Sequence, residues 1–168
     1  MKHCLERFKK IRMVAMDVDG TLTDGKIYMG PQGEVMKAFH VRDGYRLAQC
    51  PQHGIITAII TGRASEIVAR RSQELHICEV HQGVQEKQLV LKQLMEQYHC
   101  TPEEVLYIGD DRNDLSCMEV CGISACPSDA DPFVRRQADY VCTAKGGEGA
   151  VREVLDLMFE AKEGRDCV

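Results

Sequence analysis

Short, uninterrupted apolar runs recur along the chain at residues 11–16, 55–60, 105–108 and, more weakly, 122–126. Each is rich in Ile, Val or Leu and lacks polar alternation, the pattern of strands buried on both faces of a mainly parallel sheet. Between the runs, apolar residues repeat at intervals of three and four over residues 67–75, 84–98, 115–120 and 150–159, which predicts amphipathic helices.

Strand and helix patterns that alternate in this way predict one α/β domain over residues 1–168, with a doubly wound, mainly parallel, Rossmann-like sheet and right-handed crossovers. The alternation is broken once. Residues 26–41, KIYMGPQGEVMKAFHV, read as two short strands about a Pro-Gln-Gly turn, so a β-hairpin protrudes just after the first strand. Thr101-Pro102-Glu103-Glu104 carries the parts of a capping box, but the next strand follows at once and leaves room for about one turn of helix. Residues 160–168, EAKEGRDCV, read as a polar tail.

At 168 residues the chain is long enough for one well-buried core, and 44% hydrophobic with 28% charged residues is a globular balance. The net charge of −5 argues against nucleic acid or an anionic membrane as partner, so the cations are read individually. Residues 1–10 are charged and lack the apolar stretch of a signal peptide, and the nine cysteines form no Cys-x-x-Cys; reduced thiols in the cytoplasm are expected. Cys117 and Cys121, four apart, read as small apolar residues on one helix face rather than metal ligands, and the six histidines form no His-Glu-x-x-His.

Ligand sites in open α/β sheets lie outside the carboxyl ends of the strands. The first strand ends in MDVDGTLTDG with Asp17 and Asp19, the second in Thr61-Gly62-Arg63, and the third in Gly109-Asp110-Asp111 with Asp114 beyond; Lys87 opens the helix before the third. Carboxylates crowded at one place raise one another's pKa unless a cation sits among them. Oxygen donors without His or Cys point to a hard ion, Mg²⁺ rather than Ca²⁺ when a phosphate shares the site. Asp24, in Thr23-Asp24-Gly25, reads as a turn residue. The Gly146-Gly147-Glu148-Gly149 loop reads equally as an anion-binding row of N–H groups and as a flexible connector.

Asp17-x-Asp19-Gly-Thr, Thr61, Lys87 and Gly109-Asp110-Asp111-x-x-Asp114, in this order, resemble the four motifs of the haloacid dehalogenase superfamily of phosphotransferases. Bacterial receiver domains combine similar residues but place the acidic pair at the first strand. The resemblance implies that Asp17 is the nucleophile that becomes an aspartyl phosphate and that Asp19 is the general acid and base. It further implies that Thr61 and Lys87 bind the phosphoryl group, that the Asp17 carboxylate, the Asp19 carbonyl and Asp110 hold Mg²⁺, and that Asp111 and Asp114 support them. The intervals between motifs are too short for a cap domain.

IYMGPQGEVMKAFHVRDGY, with AIITGR, QGVQEK, IGDDRND and GGEGAVREV downstream, is similar to the uncapped 3-deoxy-D-manno-octulosonate 8-phosphate phosphatase family. That likeness implies hydrolysis of the named sugar acid phosphate on the way to lipopolysaccharide. It also implies a homotetramer in which hairpins associate and neighbouring subunits close each active site, with the tail around Arg165 as a further cover. Asp19, His40, Val41, Arg42, Asp43, Gly44, Arg63 and Lys87 match the family's substrate contacts; where relatives often carry another Arg this chain has Ala48, with Arg46 nearby as a substitute. Two alternatives stand beside this: a nonulosonate (sialic acid type) 9-phosphate phosphatase, and a non-catalytic oligomerising module like the domain fused to acylneuraminate cytidylyltransferases.

Overall fold

The structure, a computed structural model, describes residues 2–164, with side chains from Glu6 onward. The chain runs through α1 (Lys2–Lys9), β1 (Met13–Met16), the hairpin β2 (Tyr28–Gly30) and β3 (Gly33–Met36), and α2 (Val41–Leu47). There follow β4 (Ile56–Ile60), α3 (Glu66–Glu74), β5 (Glu79–His81), α4 (Lys87–Gln97) and β6 (Val105–Ile108). The remainder is α5 (Leu115–Met118), β7 (Ile123–Cys126), α6 (Pro132–Gln137), β8 (Tyr140–Val141) and α7 (Ala150–Glu163).

Six strands form one parallel sheet in the order β5-β4-β1-β6-β7-β8, and β2-β3 form a separate antiparallel ribbon. The chain winds outward from β1 through β4 to β5, then returns to β6 on the other side of β1. This reversal makes the β1/β6 boundary the topological switch point, where a crevice opens at the strand ends. Met16 pairs in register with both Ile59 and Ile108, and the Asp17 N–H donates to the Ile108 carbonyl at 3.0 Å. Asp17 therefore emerges from the sheet level with the ends of both neighbours.

The unbroken apolar run of β1 follows from its two-sided burial. Val14 and Met16 face a core shared with Phe8 of α1, Leu47 of α2, Val68 of α3 and the apolar stripe of α7; Met13 and Ala15 face Leu91 and Leu94 of α4, Cys117 of α5 and Val134 of α6. Each large aliphatic side chain so removed from water contributes about 1.5–3 kcal/mol. No helix among the described residues is long and apolar enough to cross a membrane.

Several expected boundaries shift for identifiable reasons. The hairpin strands end at Met36, and Val41, expected as its last residue, opens α2. Residues 160–163, expected in the tail, complete α7: Ala161 is buried and the Lys162 ammonium donates to the Lys9 carbonyl at 2.9 Å. Residues 165–168, including Arg165, lie outside the described residues. The helix expected over 115–120 stops at Met118, so Cys117 and Cys121 do not share a helix face. Burial pushes both thiols up to about 12, which keeps them protonated. The Thr101 capping box and its single turn, Pro102–Glu104, are present as expected.

The Gly146–Gly149 loop is neither an open anion nest nor a loose connector. The Gly147 N–H donates to the Thr21 carbonyl at 3.1 Å and the Gly146 N–H to Asp129 Oδ1 at 3.0 Å. A Cβ on Gly146 would fall 1.8 Å from the Gly20 carbonyl oxygen, a backbone atom that has little room to yield. The loop thus braces the turn that follows β1. Gly146→Ala is expected to lower stability by about 2–3 kcal/mol in chemical denaturation, as an overpacked backbone contact does.

Candidate active site

Asp17, just past β1, is 5% exposed, and its Oδ2 lies 3.1 Å from Nζ of Lys87, the first residue of α4. The same ammonium donates to Asp114 Oδ1 at 2.8 Å. Asp114 is fully buried and receives three further hydrogen bonds: from the Tyr107 hydroxyl at 2.8 Å to Oδ1, and from the Asp110 and Asp111 N–H groups at 3.1 and 3.2 Å to Oδ2. Asp111 caps the turn Arg112–Asp114 by accepting from the Arg112 N–H at 2.8 Å, which holds Asp114 in reach of these donors. Asp110 accepts from Thr21 Oγ1 at 3.0 Å. Gly20, at φ +95°, passes so close that a Cβ there would lie 2.0 Å from Asp110 Oδ2. Only glycine admits both the left-handed backbone and this approach.

One carboxylate oxygen from each of Asp17, Asp110 and Asp114 lies within 4.8 Å of the other two. Burial raises the Asp17 pKa and the Asp114 charge raises it further, against the pull of Lys87. Burial, then Asp114 and Asp17, push Asp110 up to about 7. Burial alone would lower the Lys87 pKa, but Asp114 and Asp17 outweigh it and raise it. Three carboxylates thus face one ammonium. Asp17 Oδ1 is buried and without a hydrogen-bond partner, an arrangement that costs free energy unless a cation fills it. The all-oxygen donor set fits a hard divalent ion. Asp114, already held by four donors, has little left to give as a ligand; Asp17 and Asp110 have more.

Asp19 sits two residues beyond Asp17 and is met by two cations, Lys37 Nζ at Oδ1 and Arg63 Nε at 3.5 Å from Oδ2. Thr61 is buried at the end of β4, one strand from Asp17, with its N–H donating to the His81 carbonyl at 2.9 Å. Asp24 pairs with Lys26 at 2.8 Å, as befits a turn residue.

The run from His40 to Gly44 does not face the crevice as a unit. Val41 is 77% exposed and Arg42 is exposed, but Asp43 is 1% exposed and its Oδ1 accepts from the Arg152 N–H at 2.7 Å, capping the start of α7. Gly44 is buried, with room for its neighbour Arg71 only because it lacks a Cβ. Asp43 and Gly44, expected among the substrate contacts, are both buried, Asp43 with its second oxygen, Oδ2, unpartnered. The ring of His40 stands beside Gly149, with Nδ1 buried and unpartnered. Arg46, expected to stand in for the arginine missing at Ala48, is committed to Asp156, 2.5 Å from its Nε, and to the Phe159 ring, 4.8 Å from its Cζ.

Sequence reasoning missed Thr21 and Tyr107, which hold Asp110 and Asp114, and missed Lys37 and Glu34 on the hairpin. Thr21 lies inside the opening motif, so its position was a usable signal. Tyr107 reads as one more apolar residue of β6, and a charged pair three apart on a hairpin reads as surface.

The raised Asp110 pKa sets a sign. The folded, cation-free protein keeps a proton that the unfolded chain has lost between about pH 4 and about pH 7, so stability falls as pH rises across that window. A divalent cation displaces this proton, and its binding strengthens as pH rises through about 7. The thermal shift on adding a fixed concentration of Mg²⁺ is expected to be larger at about pH 8 than at about pH 6, and Asp110→Asn to flatten the difference.

A family profile described as haloacid dehalogenase-like hydrolase matches residues 65–155. The chain is 44% identical over 160 residues to the 3-deoxy-D-manno-octulosonate 8-phosphate phosphatase of Salmonella typhi, covering 95% of this chain and 85% of the relative. Among solved structures, the phosphatase of that name from Moraxella catarrhalis, in complex with a magnesium ion, a phosphate ion and a KDO molecule, superposes with a TM-score of 0.94. It is 40% identical, over 98% of this chain and 94% of that one. The Yersinia pestis enzyme gives a TM-score of 0.92 at 43% identity, over 95% and 86%. The chain belongs to the 3-deoxy-D-manno-octulosonate 8-phosphate phosphatase family of haloacid dehalogenase-like hydrolases.

Proposed function

We propose that the protein is a Mg²⁺-dependent phosphomonoesterase that hydrolyses 3-deoxy-D-manno-octulosonate 8-phosphate to the free sugar acid and phosphate, in the cytoplasmic route to lipopolysaccharide. The observation that carries the reading is the unpartnered Asp17 Oδ1 beside Lys87 and Asp110: a buried carboxylate kept ready for a cation and an electrophile. Family membership at 44% identity supports the substrate class.

Asp17 attacks phosphorus as the bond from phosphorus to the sugar oxygen breaks, and Asp19 gives that oxygen its proton. Asp19 then takes a proton from water, which attacks the aspartyl phosphate and frees inorganic phosphate with Asp17 restored. The Thr61 hydroxyl and the Lys87 ammonium stabilise the transferring group, aimed before the reaction begins. The Asp17 carboxylate, the Asp19 carbonyl and Asp110 would hold Mg²⁺, which would supply the positive charge that the carboxylates lack. Asp111 and Asp114 keep those ligands in place. Arg42, Arg63 and Lys87, with His40 and Val41 at the rim, are the candidate contacts for a substrate that carries both carboxylate and phosphate.

Hydrolysis by covalent displacement benefits from excluding water. Among the described residues no cap domain intervenes between Asp19 and Thr61 or between Thr61 and Lys87. The hairpin instead exposes Ile27, Met29, Val35 and Met36, with Met29 66% exposed, an apolar strip that a second subunit can cover. We read the working form as a homotetramer whose neighbours close each crevice.

The protein is expected to release phosphate from 3-deoxy-D-manno-octulosonate 8-phosphate in preference to a nonulosonate 9-phosphate in a steady-state comparison; equal and poor turnover of both would reject the substrate assignment. Asp17→Asn is expected to lower kcat at least about a thousandfold. Light scattering of that variant should still give a tetramer, and a monomer would reject the shared site.

A further inference from the structure

Lys37 follows β3, and its side chain is 1% exposed although Met36 and Ala38 on either side are exposed. A lysine on a hairpin normally extends into water, and an ammonium is withdrawn from water only where carboxylates receive it. Here Nζ meets Asp19 Oδ1 and lies 2.9 Å from Glu34 Oε1. Glu34 in turn accepts from Ser65 Oγ at 2.5 Å and lies 3.4 Å from Arg63 Nη2. The hairpin is thereby tied to the loop after β4 across the Asp19 carboxylate. The two Asp19 oxygens are not held alike. Oδ1 is in close contact with the buried ammonium, whereas Oδ2 has only the 3.5 Å approach of Arg63, whose side chain is 43% exposed.

We propose that Lys37 is a positioning residue for Asp19, fixing its carboxyl group so that Oδ2 is the oxygen that exchanges the proton with the leaving group. The proposal rests on the reading of Asp19 as general acid and base. In the first step the proton on Oδ2 passes to the ester oxygen as the bond between phosphorus and that oxygen breaks. Asp19 is left as a carboxylate, and the ammonium at Oδ1 stabilises it. Glu34 keeps Lys37 and Arg63 from collapsing onto Asp19 together, since it draws on both cations. Proton transfer thus depends on a residue borne by the hairpin.

A leaving group that departs as a stable anion needs no proton, whereas an alkoxide does. The test compares Lys37→Met with the unaltered full chain, both with Mg²⁺, on p-nitrophenyl phosphate and on glycerol 2-phosphate, an alkyl ester without a carboxylate. The variant is expected to lose at least about tenfold in kcat on glycerol 2-phosphate and less than about threefold on p-nitrophenyl phosphate, with Lys37→Arg recovering part of the alkyl ester turnover. Equal losses on both esters, as a folding defect produces, would overturn the proposal, and so would no loss on either. A loss confined to 3-deoxy-D-manno-octulosonate 8-phosphate, assayed alongside, would overturn it too, because Lys37 would then be binding its carboxylate. If the unaltered chain hydrolyses neither ester, the phosphatase reading itself fails, an outcome separate from equal losses in an active enzyme.

Discussion

The Lys87 ammonium sits between Asp17 Oδ2 at 3.1 Å and Asp114 Oδ1 at 2.8 Å, and one positive charge does not balance the three carboxylates gathered there. Much of the surrounding structure serves to keep this unbalanced set together. Asp114 is quieted by four donors, one of them the hydroxyl of a tyrosine in the centre of β6. Asp110 is held by Thr21 and overlain by a glycine without a Cβ, which in turn is braced from behind by Gly146. Asp17 keeps one oxygen buried and without a hydrogen-bond partner. A site built in this way stores its demand for a cation in the fold rather than in flexible side chains, so a phosphate ester meets groups that need little rearrangement.

Sheet topology makes such crowding feasible. β1 and β6 are neighbours whose connections leave in opposite directions, so neither crossover covers the ends of the two strands. The core on both faces of β1 fixes its register against β4 and β6, and with it the level at which Asp17 emerges. Packing far from the chemistry therefore sets distances within it.

The central strands and the acidic site were legible because burial on two faces writes an unbroken apolar run, and each run ends in polar residues that have no packing role there. β5, β8 and α6 were not, being three, two and six residues long, too short for any period to show. α1 was hidden because Phe8 is the one buried apolar side chain described in an otherwise charged segment. The burial of Asp43 was hidden for a different reason: an acid before a glycine near other cations looks exposed, and nothing local shows that one partner is the Arg152 N–H, 109 positions away. Lys37 was invisible because its burial depends on where the hairpin folds back.

The hairpin brings Glu34 and Lys37 together beside Asp19 and leaves Met29, Val35 and Met36 exposed, yet no strand period separates the two sets: Met29 stands opposite Glu34, and Val35 and Met36 are neighbours. Glu34 and Lys37, an odd number of positions apart, would point to opposite faces of a continuous strand; they meet because β3 ends at Met36 and Lys37 is released from its alternation. The register Gly30↔Gly33 at the turn and the end of β3 at Met36 therefore set how far the chain runs before Lys37 reaches Asp19. An insertion or deletion of one residue there would draw the ammonium away from Asp19 while leaving every residue of the sheet in place.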